Sequence, residues 1–571
     1  MGFCARRQAR IQASHVAPRQ SAFCECGRPS CALSVSAGHG AAPHARQSAQ
    51  QPGACPYLRE RLEGHQSLKL ARRRFLGLGS AALAGLFLKG DKRIEGSFVH
   101  DSFPRGHLLR GRAGFPPAKR VEKIPVVIVG GGIAGLSAAW RLRKRGFSDF
   151  VLLEMSSQPG GNARWGQNEI TAYPWAAHYV PVPGPQAAYV RELFEDLGVL
   201  KNGQWEERYL AFSPQERLFL YGRWQEGLEP VIGLTPKDRD QFERLENLFR
   251  EFRQSGSFTV PVELGLSSKF QDLDGISFSD WLRQQGCDSR LLNWYMNYAC
   301  RDDYGALARD TSAWAGVHYF SSRPPEEKGP LTWPEGNGWI TRRLLERVGG
   351  NIRTSQMVHR ITETRRGASV FAEETEFQAQ FVIFAAPTFL APYLLEDFPP
   401  LHDFVYSPWL TANLTLDRYP ESRGAEPSWD TVFLDSPTLG YVDAMHQSLR
   451  THVDRTVWTF YWALAEGAPA ENRQLLLEKN WAYWKEAILH DLERVHTDIR
   501  QCVSRIDILR MGHAMIRPAV GSIFSEERRR LRRRNGRILF ANSDLSGISI
   551  FEEAQYHGVE AAQKVLGRLH G

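Results

Sequence analysis

Residues 124–135 read Ile-Pro-Val-Val-Ile-Val-Gly-Gly-Gly-Ile-Ala-Gly, and this stretch decides the fold. The run to Val129 is apolar without alternation, the pattern of a parallel strand buried on both faces. Gly130, Gly132 and Gly135 then fit G-x-G-x-x-G, with Ile133 and Ala134 between them, and Leu136 to Arg145 continues in helix formers as far as Gly146, a helix stop. In that position each glycine has a mechanism. Gly130 permits a tight turn, Gly132 lets the backbone approach a pyrophosphate, and Gly135 allows close packing of helix on strand, with the helix N-terminus facing the negative charge. Phe150-Val151-Leu152-Leu153 is a second apolar strand ending in Glu154, 24 residues after Gly130 and near the spacing at which a carboxylate binds ribose hydroxyls. Strand, glycines, helix, strand and acid together predict an α/β fold with a Rossmann-type dinucleotide-binding domain.

Working outward, Gln158-Pro159-Gly160-Gly161-Asn162-Ala163-Arg164 places a second glycine pair just after the acid. This segment resembles the E-x(5)-GGR element of flavin-containing amine oxidases, phytoene desaturases and protoporphyrinogen oxidases, whose backbone touches the FAD pyrophosphate. Asn162 stands where those families have Arg, and Arg164 is the residue expected to substitute. Trp333-Pro334-Glu335-Gly336-Asn337-Gly338 is similar to their P-x-G-G turn, and Phe381 to Pro387 to their V-I-x-A-x-P strand. Arg537 to Asp544 is an apolar strand ending in an acid. The resemblance implies FAD as cofactor, the Val358 backbone at the adenine, and Asp544 near the pyrophosphate and ribityl chain. It also implies a discontinuous FAD-binding domain (124–165, 331–390, 526–571) with an inserted α+β substrate domain (166–330, 391–525).

The substrate domain is less readable. Gln186 to Leu197 and Pro236 to Gln254 read as helices, and Trp314 to Phe320 and Trp458 to Trp462 are dense in aromatics. Flavin oxidation needs a dry, aligned substrate and often a group to take a proton. The candidate groups are His178, close after the pyrophosphate loop, and His513 and Arg517, close before the return to the FAD domain; Tyr441 and Asp443 are weaker candidates. Each, taken alone, is as readily a satisfied structural residue. Many amine oxidases carry a lysine, water-bridged to flavin N5, downstream of the A-x-P strand, whereas residues 388–417 contain none. That departure counts against an amine substrate. The resemblance therefore implies an oxidoreductase acting on a C–N or C–C bond of a small molecule, with electrons passing to oxygen or to a quinone or other acceptor. A flavin-stabilised binding module without catalysis is the non-enzymatic alternative.

The formal charge of +8 invites a nucleic-acid reading, but it is local. Residues 1–90 hold 13 Lys and Arg against 3 Asp and Glu, leaving 58 basic and 60 acidic residues for the rest, so no nucleic-acid partner is expected. The basic run Arg528 to Arg534, preceded by Glu526 and Glu527, reads as a solvated helix end. Five of eight cysteines lie in the first 55 residues, and Cys24-x-Cys26 with Cys31 lacks usual zinc spacing, so no metal is expected. Residues 72–88, three arginines followed by a short Gly- and Ala-rich apolar run, resemble a twin-arginine signal, with Arg72 and Arg73 as the pair. That resemblance implies a bacterial or archaeal protein handled by the twin-arginine export machinery, placed in the periplasm or otherwise outside the cytoplasm, and released or N-terminally anchored. Residues 1–71 read as a disordered or misassigned leader and 91–123 as a linker.

Overall fold

The computed structural model describes residues 92–570 apart from 100–101, 112–113, 324–328, 423 and 451. The stretches read as a leader and as a twin-arginine signal, and the Cys24–Cys31 cluster, lie outside the described residues.

The nucleotide domain is built on a five-stranded parallel sheet in the order Ile352–Arg353, Phe150–Leu153, Val126–Val129, Phe381–Phe384, Ile538–Phe540. The unbroken apolarity of Val126–Val129 follows from its two covered faces. Val126 and Ile128 pack toward the helices Ile133–Lys144, Gly338–Val348 and Phe551–Leu569. Val127 and Val129 pack on the opposite side against Ile361, Val370 and Phe377 of a second, four-stranded sheet. Helix Phe551–Leu569 crosses Ile133–Lys144 closely, for a Cβ at Gly558 would fall 2.2 Å from the Ala134 carbonyl oxygen.

The second domain is a mixed seven-stranded sheet in the order Arg223–Glu226, Glu216–Leu220, Asp430–Phe433, Tyr441–Asp443, Thr456–Ala463, Tyr406–Leu416, Val503–Ile516. The aromatic segment at 458–462 lies on its strand Thr456–Ala463, which sends Trp458, Phe460 and Trp462 to one core and Tyr461 and Ala463 to another. A helical layer, which includes Pro236–Gln254, Arg290–Tyr304 and Ala313–Ser321, packs around Trp281 and Trp314. Pro236–Gln254 begins where it does because Thr235 and Asp238 form a reciprocal capping box. Among the described helices none is long and apolar enough to cross a membrane.

Two expectations differ from the structure. The stretch read as a linker is docked: Glu95 and Phe98 bridge to Arg505 and Ile508, and Arg120–Lys123 joins Thr375–Ala379 as a parallel strand. Helix Glu526–Arg533 is not a fully solvated end either. Arg528 is completely buried, because its Nε donates to the Ser522 carbonyl at 2.8 Å and its Nη1 to the Asp544 carbonyl, while Arg532 pairs with Glu263 at 2.6 Å.

Candidate functional site

A single cavity of about 430 Å³ runs along the carboxyl ends of the parallel strands and on beneath the seven-stranded sheet. Ligands of open α/β sheets bind at such strand ends. Gly130, Gly132, Ile133, Ala134, Glu154, Gly160, Gly161, Val358 and Asp544 all lie on its wall.

The turn after the first strand is shaped by glycine for three different reasons. Gly130 has φ +105°, and a Cβ there would sit 2.9 Å from the Ala386 nitrogen. Gly135 does not reach the cavity; a Cβ on it would fall 1.9 Å from the Gly130 carbonyl oxygen, so its absence of a side chain sets helix against turn. Gly132 has an ordinary φ of −75° and nothing within 4 Å of where a Cβ would be, so its open side is the cavity. It is also the N-cap of helix Ile133–Lys144 and supplies no side-chain cap, which leaves first-turn N–H groups free for an anion. The second glycine pair abuts the first: the Gly160 N–H donates to the Gly131 carbonyl at 2.8 Å.

Acids flank this cradle. The Glu154 carboxylate accepts from the Gly131 and Ser156 N–H groups, both at 2.8 Å, which fixes its position at the strand end with lone pairs to spare. Asp544 is buried, with Oδ2 accepting from the Thr388 N–H at 2.8 Å and the Tyr406 hydroxyl at 2.6 Å. Burial pushes its carboxyl up; the bonds from Tyr406 and Thr388 and the Arg528 cation oppose that shift. Uncapped N–H donors, a cleared Gly132 and the acceptor carboxylates of Glu154 and Asp544 are the groups that a dinucleotide requires, so the residues fit FAD. Arg164, expected on the pyrophosphate, is not on the wall: its Nε turns back to the Gly161 carbonyl at 2.9 Å.

His178 and His513 are both on the wall. His178 sits among Tyr461, Tyr179 and Trp429, with ring centroids 4.6, 4.9 and 5.5 Å away. Burial pushes it down to about 4. His513 stacks on Phe389 at 4.2 Å and is likewise pushed down to about 4, by burial and then by the Arg473 and Arg110 cations. Both imidazoles are neutral at pH 7. Arg517 is not on the wall, because its buried Nε donates to the Ser407 hydroxyl at 2.6 Å. Tyr441 and Asp443 lie outside this cavity as well, bound respectively to Arg217 and His496, and to Tyr419 and Thr456.

The sequence reading passed over Asp302 and Asp303, which end helix Arg290–Tyr304 and face the same cavity. Gly305, at φ +58°, stops that helix and so sets the pair at its carboxyl end. Two successive acids before a Tyr-Gly helix stop are a local signal, but one that reads equally as a solvated terminus. Among the described residues no group of three or more His, Cys, Asp or Glu is placed to hold a metal ion.

Fold and cavity together define a two-domain α/β protein with a Rossmann-type nucleotide domain and a cavity along its strand ends. Comparisons agree. The family model described as "NAD(P)-binding Rossmann-like domain" matches residues 128–197. A 15-cis-phytoene desaturase of Solanum lycopersicum is 24% identical over 57% of this chain and 56% of its own length, so the chain spans little more than half of that relative. A flavin-containing amine oxidase of Oncorhynchus mykiss is 32% identical over 24% of each chain. The structure of wild-type putrescine oxidase bound to putrescine superposes with a TM-score of 0.60 at 18% identity, covering 78% of this chain and all of the other; this likeness is one of fold. Together they show a Rossmann-like nucleotide domain at residues 128–197, a fold like that of putrescine oxidase, and likeness over part of the chain to a phytoene desaturase and a flavin-containing amine oxidase.

Proposed function

We propose that this chain is an FAD-dependent oxidoreductase that oxidises a C–N or C–C bond of a small molecule held in the inner part of the cavity. One observation carries the reading: the glycine cradle and the aromatic walls at His178, Tyr179 and Tyr461 belong to one continuous cavity. Bound flavin would supply hydride acceptance at N5. The chain supplies the rest. Gly132, the uncapped helix start, Glu154 and Asp544 would hold the dinucleotide, and the aromatic walls would exclude water from the reacting bond. Purified protein reconstituted with FAD should absorb near ~450 nm and bleach anaerobically with a substrate from a panel of amines, amino acids and lipids. No flavin uptake would overturn the reading, and stable flavin that no compound reduces would favour a binding module. Since no lysine lies on residues 388–417, delivery of electrons to a quinone or carrier is the second reading, and dye reduction without oxygen consumption would favour it.

The proposal includes export by the twin-arginine machinery to a site outside the cytoplasm, on the strength of Arg72-Arg73-Arg74-Phe75-Leu76. Replacing Arg72 and Arg73 by lysine should leave the protein in the cytoplasmic fraction of a bacterial host; unchanged fractionation would refute the assignment.

A further inference from the structure

The chain ahead of the first nucleotide strand touches both domains. Glu95 and Phe98 bridge to Arg505 and Ile508 of the seven-stranded sheet, and Arg120–Lys123 joins the four-stranded sheet of the nucleotide domain. Between them, helix Phe103–Leu108 and the turn Leu109–Gly111 lie over the nucleotide end of the cavity, where Leu109 shares the wall with Met155 and Val358. Arg105 fastens this piece down, donating to the Met155 carbonyl at 3.1 Å and pairing with Glu373. The hold is slight, for Leu109 is the one buried side chain from Phe103 to Gly111. A segment with so few buried contacts opens at low cost.

Positive charge gathers where this segment meets the substrate domain. Arg110 follows Leu109 and is exposed. Arg473, on helix Pro469–Glu478, lies along strand Val503–Ile516, its Cδ 3.5 Å from the place of a Cβ at Gly512. Next in that strand is His513, on the cavity wall. Arg110 acts on Arg473, and both push the His513 imidazole down. Among the described residues neither arginine pairs with a carboxylate; Arg473 spends Nη1 on the Tyr406 carbonyl at 3.3 Å. Two neighbouring cations with no acid between them repel one another unless an anion joins them.

A second observation ties the cluster to the glycine cradle. The Asn162 Nδ2 donates to the Ala514 carbonyl at 2.7 Å, and a Cβ on adjacent Gly161 would lie 3.3 Å from the Gly132 Cα. From the other side, Tyr406 offers its carbonyl to Arg473 and its hydroxyl to Asp544. The cations therefore flank a cradle whose own loop supplies none, since Asn162 is neutral and Arg164 turns back to the Gly161 carbonyl.

We propose that Arg110 and Arg473 form a phosphate clasp, which takes the negative charge of the bound dinucleotide's diphosphate and holds residues 102–111 over the cavity as a cover that retains the cofactor. Guanidinium groups suit phosphate oxygens, which they bind in charge-assisted, often bidentate, hydrogen bonds. The clasp brings from outside the loop the cation that the loop lacks, and it makes closure of the cover depend on a ligand that carries phosphate. Its ligand rests on the FAD reading above; a free phosphate-bearing anion has the same chemistry and is separated from FAD by the probes below.

The test reads affinity and hydrogen exchange on the full-length apoprotein, with FAD, riboflavin and inorganic pyrophosphate as probes. By fluorescence quenching, Arg110→Gln and Arg473→Gln should each weaken FAD about tenfold, the share of one charge-assisted contact, and leave riboflavin, which has no phosphate, unchanged. Added salt should weaken FAD more in wild type than in either variant, and lysine at either position should restore part of the affinity. Apoprotein melting should stay at wild-type values. The amides of residues 103–111 should exchange more slowly with FAD bound than with riboflavin bound, and Arg110→Gln should abolish that difference. Wild-type FAD affinity, salt dependence and exchange in Arg110→Gln, or equal losses for FAD and riboflavin, overturn the clasp and leave the oxidoreductase reading standing. Slowed exchange with riboflavin plus pyrophosphate, together with FAD affinity indifferent to both arginines, assigns the cluster to a free anion and overturns its role at the cofactor. A protein that takes up neither flavin overturns both readings.

Discussion

Gly132→Ala and Gly135→Ala differ by three positions on one turn, and the structure assigns them opposite consequences. At Gly132 the backbone is ordinary and no protein atom lies within 4 Å of the added methyl, so the folded chain accommodates it. The remaining penalty is that of alanine at an N-cap, about 0.5–1 kcal/mol. The methyl would instead project into the cavity, where a pyrophosphate must approach the backbone. Loss of that contact, added to displacement from the helix N-terminus, should weaken FAD by about 2–3 kcal/mol, or roughly 30- to 150-fold. At Gly135 the methyl would lie 1.9 Å from the Gly130 carbonyl oxygen, a backbone atom that cannot rotate away. Helix and turn must separate, at a cost of about 3 kcal/mol or more. Bound FAD stabilises the fold by mass action, so melting must be compared on apoprotein and flavin affinity measured separately by fluorescence quenching. The expected result is near-native melting with poor flavin retention for Gly132→Ala, and depressed melting for Gly135→Ala. Stoichiometric, tight flavin in Gly132→Ala would refute the placement of the cofactor against that turn.

Tyr406→Phe removes the hydroxyl that donates to the Asp544 carboxylate and should cost about 1–3 kcal/mol in urea unfolding, the penalty for stranding a buried acceptor. Glu553, fully buried and bonded to the Val262 N–H at 2.8 Å, is pushed up to about 8 by burial. In the unfolded chain it ionises near its ordinary value of 4.5. Its protonated form therefore stabilises the fold fully below about 4.5, and that contribution is lost as pH rises toward about 8. Apoprotein stability should fall across this window, and Glu553→Gln should flatten the decline; an unchanged slope would count against the shift.

The nucleotide half of the fold was legible because each of its signals is local. Val126–Val129 betrays its two buried faces by an unbroken apolar run, and the glycines declare the turn by their spacing. Asp544 is implied by the resemblance rather than by a local pattern, and it lies in the turn Ser543–Leu545 that follows strand Ile538–Phe540 of the same sheet. The substrate half resisted because its determinants are non-local. Thr456–Ala463 is buried along its whole length and splits its aromatics between two cores, and both assignments depend on pairing with Tyr406–Leu416 and Tyr441–Asp443. Arg528 sat in a run of arginines that looked solvated; only the return of the chain at Ser522 and Asp544 buries it. The docking of Glu95 and Phe98 likewise depends on a strand some 410 residues further on.

The choice of proton acceptor shows the same divide in chemical terms. From sequence, His178 and His513 are candidates by position, close after the pyrophosphate loop and close before the return to the FAD domain, and as isolated groups an imidazole titrates near neutrality where a carboxyl does not. Burial reverses the ranking, since removing water penalises whichever form is charged: the imidazolium loses its proton more readily and the carboxylate gains one. Near His513 the Arg473 and Arg110 cations push further in the same direction, and near Asp302 so do the Asp303 and Glu216 carboxylates. The histidines at about 4 are weak bases that hold no proton at pH 7, whereas Asp302 at about 7 has its two forms balanced there. General-base efficiency peaks when the group's pKa lies close to the working pH. On that criterion neither imidazole is matched to pH 7, and His178 stands as an uncharged part of the cavity wall.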